Sequence, residues 1–361
     1  MRNRSIYYVT ICCSILLLFH HISPIQAEPT LDENTREVLQ NSLSIVEIDH
    51  EIERIEVQQQ QIEESRGSLE AEMSVHKEEM KDHQERAASI VRSYYMGERD
   101  QLLHIFLKAK SLRSIQIVAS YYEIIIGRDH EVLHAYHSRQ QELEEMAVRL
   151  DQNDAELRML KHNLQSQRER VLLLEQEVED TLASNGNREL MEKLIEELNT
   201  YWNNVGIHEV KRYFGALASA MNHLPDFVQQ EKGIISTNGR TYSIRINEEQ
   251  LNNFLRAENE IFNDFAFEFT DDYIIASGKR DNLELAVQGH YTVIDEPTNG
   301  LLFHVDKLVF NGFELPDTTR SMLQQEFDLG FYPQKLMSFI KATDVSTKDQ
   351  TLEVTLELAL K

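Results

Sequence analysis

The sequence predicts a mainly α chain that ends in an α+β domain, on three observations. No proline falls between Pro29 and Pro225. Apolar residues inside that gap step by threes and fours, the period of a helix face. From about Gly233 the period drops to two and turn residues recur at short intervals, as in strands.

In chain order, Arg2 and Arg4 precede an apolar run from Ile6 to Phe19, and small residues lead to Ala27. That is the order of a secretory signal, so the expectation is an extracytoplasmic chain cleaved after Ala27. The 14-residue run is shorter than the roughly 20 residues a helix needs to cross a bilayer. An uncleaved, tilted anchor is the alternative.

Both cysteines, Cys12 and Cys13, lie in this segment, and Val9-Thr10-Ile11 lacks the small residue that a lipoprotein signal places before its cysteine. The mature chain then has no thiol. That excludes disulfides, thiolate metal sites and cysteine nucleophiles, and such usage is ordinary for exported bacterial proteins. Removing residues 1–27 takes away two arginines and no acid, leaving 34 basic against 61 acidic residues and a net charge near −27. A chain so acidic repels nucleic acid, and it is a poor binder of anionic membranes through charge alone.

Only Gly67, Gly97 and Gly127 interrupt the stretch from Pro29 to Asn185. Val38, Ile45, Ile48, Ile52, Ile55, Ile62, Leu69, Met73, Met80, Ala87 and Ile90 form a heptad seam, with Asn41, Gln59, Arg66, His76 and His83 as polar interruptions. Such interruptions weaken a seam and specify its register. The same step returns from Val132 through Leu157 to Val178. Two nearly equal arms predict an antiparallel coiled-coil hairpin over residues 28–185, roughly 80 Å long. A parallel homodimer of each arm is the competing arrangement.

Between Ile90 and Arg128 the charged pattern gives way to apolar clusters, read as a tip lobe of two short helices, the second capped by Ser111. The lobe carries more apolar surface than a two-helix tip hides. One face is therefore expected to dock a partner, with Tyr94, Tyr95, Leu103, Phe106, Leu107, Ile115, Val118 and Tyr122 as hydrophobic anchors. After a break at Ser184–Asn187, two amphipathic segments, the second closing at Pro225, form a helical neck over 186–231.

The α+β domain spans 232–361. Strands are expected at 241–246, 265–270, 273–278, 283–293, 301–310, 339–343 and 352–360, with helices at 248–257 and 318–327, giving a largely antiparallel curved sheet.

The run Arg86-Ala-Ala-Ser-Ile90-Val-Arg-Ser-Tyr94-Tyr95-Met-Gly97, followed by Leu103, Phe106-Leu107, Ala109, Ser111-Leu112 and Asp129, resembles the coiled-coil domain of PcsB/CwlO-type peptidoglycan hydrolases of Gram-positive bacteria. The resemblance covers about residues 31–185. It implies a regulatory arm whose tip docks on the extracellular loop of an FtsEX-like transporter or engages a cell-wall hydrolase. Those hydrolases end in a cysteine-dependent domain, and this chain retains no cysteine. The implied role is a non-catalytic regulator. The stretches Tyr242–Leu255 and Phe310–Pro316 are similar to small bacterial envelope domains suspected of binding lipid, so a lipid at the C-terminal domain is the alternative expectation.

One enzyme-like string remains: His130-Glu131-Val132-Leu133-His134, an H-E-x-x-H pattern that could bind zinc with Glu131 activating water. Val132 sits on the heptad seam, a thin hairpin offers no cleft, and no further histidine follows at metzincin spacing. The acid pairs Glu144-Glu145 and Asp271-Asp272 fit solvated faces. No phosphate loop, nucleophile elbow or catalytic triad spacing appears. The expectation is no enzyme, no cofactor and no metal.

Overall fold

The computed structural model describes residues 32–108, 111–184, 186–239, 241–280 and 283–359. The expected signal segment lies outside them. The chain is mainly α with a C-terminal α+β part.

Helix α1 (Glu33–Tyr95) and helix α3 (Leu112–Ser184) are 63 and 73 residues long and pack antiparallel as one hairpin. At 1.5 Å per residue they span about 95 and 110 Å, longer than the seam length alone suggested. From Val57 to Ile90 the only residues of α1 that are not exposed are the nine apolar and polar seam positions together with Ile90 itself. Polar seam residues set the register as expected. Arg66 meets Asp154 at 2.7 Å, Asn41 donates to Glu177 at 3.1 Å, and His76 lies 3.2 Å from Arg139.

A short helix, α2 (Glu98–Leu107), joins the arms. Gly97, with φ +73°, ends α1 in the left-handed region that favours glycine. Ser111 does cap the next helix: its Oγ accepts from the Ser114 amide at 3.2 Å. That helix is α3 itself. The expected second short helix is simply the first turns of the returning arm, because no proline stands between Ser111 and Ser184 and the helix runs on through Gly127.

Past the break at Asn187, α4 (Arg188–Tyr201) runs through a π-helical turn, Trp202–Gly206, into α5 (Ile207–Gln230). Pro225 does not end α5, which continues one more turn. The expected neck is drawn into the domain: Val210, Tyr213, Phe214, Met221, Leu224 and Val228 are core residues.

The α+β part holds two antiparallel sheets, not one curved sheet. The first, in order β1-β2-β9-β8, contains β1 (Ile235–Asn238), β2 (Thr241–Asn247), β8 (Ile340–Lys348) and β9 (Thr351–Leu358). The second, β3-β4-β5-β6-β7, contains β3 (Phe265–Phe269), β4 (Ile274–Arg280), β5 (Leu283–Ile294), β6 (Gly300–Phe310) and β7 (Phe313–Glu314). Helix α6 (Glu248–Glu258) starts at a capping box, Asn247 Oδ1 accepting from Gln250 N at 2.8 Å and Gln250 Oε1 from Asn247 N at 3.1 Å. Helix α7 (Asp317–Glu326) follows β7. Alternate residues of β3, Phe265, Phe267 and Phe269, are buried, and the Phe265 ring centre lies 4.5 Å from that of Tyr213 on α5. Asn299 links the sheets, donating to Ala342 O at 3.0 Å and accepting from Ala342 N at 2.7 Å.

Leu39 and Leu43, near the start of α1, belong to the same core as the sheets. The root of the rod is therefore built into the α+β domain.

Candidate functional site

Two places stand out: the far tip of the rod and the joint at its root. At the tip, the cross-arm pairs Arg66–Asp154 and Arg139–Glu79 place Tyr95 opposite a position close to residue 124. The first dozen residues of α3 thus run past the end of α1 by roughly 18 Å. Helix α2 packs against both long helices. It is held by Arg99, whose Nε and a terminal nitrogen donate to the two Asp129 carboxylate oxygens at 2.8 and 2.9 Å. Asp129 is 5% exposed. A bidentate pair with one member buried is a strong, directional clasp. The Arg99 guanidinium also lies 5.9 Å from the Tyr94 ring centre.

The expected anchors divide by position. Tyr94 is exposed, and Tyr95 and Leu107 are 90% and 81% exposed. Ile115, Val118 and Tyr122 are half-buried, so this stripe contributes more to holding the lobe together than to an outer surface. The side chains of Leu103 and Phe106 lie outside the described residues. The outward surface is completed by residues that were not among the expected anchors: Met96, Leu112 at 80% exposure, and the stripe Ile117, Tyr121 and Ile124. Arg113 and Arg128 extend that stripe by one turn at either end, and both are exposed. The first turns of α3 thus have two apolar stripes, one inward and one outward. Spacing marks both equally, and only the folded structure tells them apart.

The lobe also reverses the charge of the chain. From Ile90 to Arg128 there are six lysines and arginines against three acids, in a chain of net charge −25. Apolar and aromatic groups framed by arginines are the composition of interface hot spots.

At the root, Glu47 of α1 is 2% exposed and accepts hydrogen bonds from three elements. Trp202 Nε1 donates at 2.6 Å from the π-helical turn, Thr319 Oγ1 at 2.5 Å from α7, and His50 Nδ1 lies at 3.2 Å. Burial alone raises the Glu47 carboxyl, but the hydrogen bonds from His50, Thr319 and Trp202 outweigh it and hold it below its usual value. The hydrogen bond to Glu47 raises His50 above its usual value, against partial burial. Trp202 is itself fully buried, edge-on to Phe310 with ring centres 4.8 Å apart.

Around this carboxylate the rod is tied along the edge of the second sheet. The Gln40 amide pairs with the main chain of Glu314 through both its ends, with Glu314 N donating to Gln40 Oε1 at 2.8 Å. Arg36 donates to Gly312 O at 3.0 Å. Arg170 of α3 reaches Asp317 at 2.8 Å; burial works to raise Asp317, and the Arg170 contact leaves it lowered overall. A side-chain amide thus occupies the free edge of β7, which would otherwise be open to strand pairing.

His130, Glu131 and His134 lie exposed on α3, with Glu131 ion-paired to Arg128 at 3.0 Å. Among the described residues, no group of three His, Cys, Asp or Glu side chains is placed to hold a metal ion. No described helix is long and apolar enough to cross a membrane. Comparison with protein-family models, curated proteins and solved structures found no match.

Proposed function

We propose that this protein is an exported, non-catalytic adaptor of the bacterial cell envelope. Its tip lobe docks on the extracellular loop of an FtsEX-like transporter, or on a cell-wall hydrolase. The rod carries that engagement to the α+β domain and couples it to peptidoglycan hydrolysis or wall remodelling.

The observation that carries this reading is the uncovered apolar surface of Tyr95, Leu107, Leu112, Ile117, Tyr121 and Ile124, at the end of a rod whose root is locked into a folded domain. Apolar groups held that far from the core add nothing to folding stability. They are useful only to a partner. The joint supports coupling, since Glu47 bonds elements from the rod, the π-helical turn and α7 at once.

The test replaces Tyr95 or Tyr121 with a photo-crosslinking residue in living cells and identifies what is captured by mass spectrometry. Capture of a transporter's external loop or of a wall hydrolase supports the adaptor. Capture of the protein alone overturns it and makes the lobe a self-association surface.

A further inference from the structure

We propose that the α+β domain binds an anionic single-chain amphiphile, its alkyl chain lying along α5 between the sheets and its head group in the cleft beside Tyr213. This goes beyond the adaptor role and concerns the opposite end of the molecule.

Three slots run in line beside α5, with volumes of about 50, 40 and 20 Å³. The largest shares Leu217, Phe267, Ile274, Phe303 and Leu329 with the second. It shares Met221, Leu224, Ile246, Tyr291 and Leu352 with the third. Protein cores normally close such space, and an unfilled apolar cavity costs stability in proportion to its volume. Three slots sharing walls in a row mark a narrow apolar line that becomes one track when the shared side chains shift. That shape suits an unbranched alkyl chain. A ring system needs more width, and a peptide brings amides that carbon walls do not satisfy.

One polar group along the track, Tyr291, is already satisfied, its hydroxyl donating to Leu329 O at 3.1 Å. Tyr213, at the end of the track, is not. It is 4% exposed, and its hydroxyl has no hydrogen-bond partner among the described residues. A buried hydroxyl without an acceptor is destabilising until one arrives. Tyr213 also lines a second, wider cleft of about 410 Å³ that contains Arg212 and Arg280. The Arg212 guanidinium lies 5.6 Å from the Tyr213 ring centre and pairs with Glu209, which also lines the cleft, at 2.5 Å, whereas Arg280 is 3.6 Å from Asp264, too long for a tight pair. Two guanidinium groups, each with one carboxylate neighbour among the described residues, line the cleft with the Tyr213 phenol where the apolar track ends. Their common complement is a carboxylate or phosphate at the end of an alkyl chain.

The test titrates the full chain, delipidated, with 11-(dansylamino)undecanoic acid and follows dansyl fluorescence, then competes with palmitate, lysophosphatidylglycerol and hexadecanol. Saturable binding is expected, with displacement by palmitate or lysophosphatidylglycerol and roughly tenfold weaker displacement by uncharged hexadecanol. Whichever anion competes better identifies the head group as carboxylate or phosphate. Leu217→Trp, which fills the middle of the track, should abolish binding, whereas Leu217→Ala should retain it. The double change Arg212→Glu, Arg280→Glu should weaken the anions roughly tenfold and leave hexadecanol unchanged. No saturable binding by the parent chain, or equal binding by a folded Leu217→Trp protein, overturns the proposal and makes the slots packing defects.

Discussion

Replacing Glu47 with alanine removes the acceptor shared by Trp202, Thr319 and His50. Two of those donors, the indole N–H and the Thr319 hydroxyl, sit on fully buried residues that water does not reach. Each stranded donor costs about 1–3 kcal/mol. His50 is half-exposed and recovers its bond from solvent. Relief from burying a charge offsets part of the loss, so the expected cost is about 3 kcal/mol, within the range for breaking a buried polar network. Glu47→Gln keeps an acceptor oxygen and the shape but loses the charge, and should cost about half as much. Trp202 is the single tryptophan of the chain, so its fluorescence reports on the bond being broken. Urea unfolding followed by tryptophan emission should order the proteins parent, glutamine, alanine, with red-shifted native emission in the alanine variant. A Glu47→Ala protein within about 0.5 kcal/mol of the parent and with unshifted emission would show that the joint is held by apolar packing alone.

The same joint has a pH dependence of definite sign. Glu47 is lowered from its ordinary value of 4.5, so its contribution is complete above about pH 4.5 and is lost as pH falls through the folded value; His50 is raised from its ordinary 6.5, so its contribution is complete below about pH 6.5 and is lost as pH rises through its folded value. Their joint contribution should be greatest between those values, and Glu47→Gln should flatten a plot of urea midpoint against pH. Arg99→Ala leaves the buried Asp129 carboxylate unpaired, at a cost of about 3–5 kcal/mol confined to the lobe; circular dichroism should show helix lost at the tip while the arms melt as before. Gly206→Ala places a Cβ 2.5 Å from the Trp202 ring and 2.9 Å from Phe310, and thermal melts should reveal a loss of about 1–3 kcal/mol from overpacking. Leu112→Glu with Tyr121→Glu should change stability by less than about 0.5 kcal/mol, both residues being exposed, yet abolish crosslinking from a probe at position 95.

The hairpin was legible because a helix repeats its face every 3.6 residues, and proline and glycine are nearly absent for over 150 residues. Even the polar seam positions were legible, as Arg66 and His76 occupy the expected interface. The strands were legible wherever alternation was long, and the expected bounds of β2 through β6 match closely. Two strands escaped, β1 and β7. They are four and two residues long, too short for alternation to register, and β7 exists because β6 lies beside it. Pro225 misled because proline usually stops a helix, whereas the apolar face of α5 is buried on both sides of it.

The candidate sites divide in the same way. Apolar excess between Ile90 and Arg128 pointed to the lobe, but sequence spacing marks the stripes at Ile115–Tyr122 and Ile117–Ile124 alike. Only the folded lobe shows that Ile115, Val118 and Tyr122 are half-buried while Ile117, Tyr121 and Ile124 face solvent. The joint at Glu47 gave no sequence signal at all: one glutamate among many in a heptad arm, with partners 155 and 272 residues away. Local periodicity is a property of neighbours along the chain, so the sequence by itself determined the helical rod, the order of its elements and the class of the domain that follows. Desolvation depends on what folds over a residue from elsewhere. The two-sheet arrangement, the absorption of α5 into the core, the burial of Glu47 and the apolar track beside Tyr213 were therefore decided by tertiary structure.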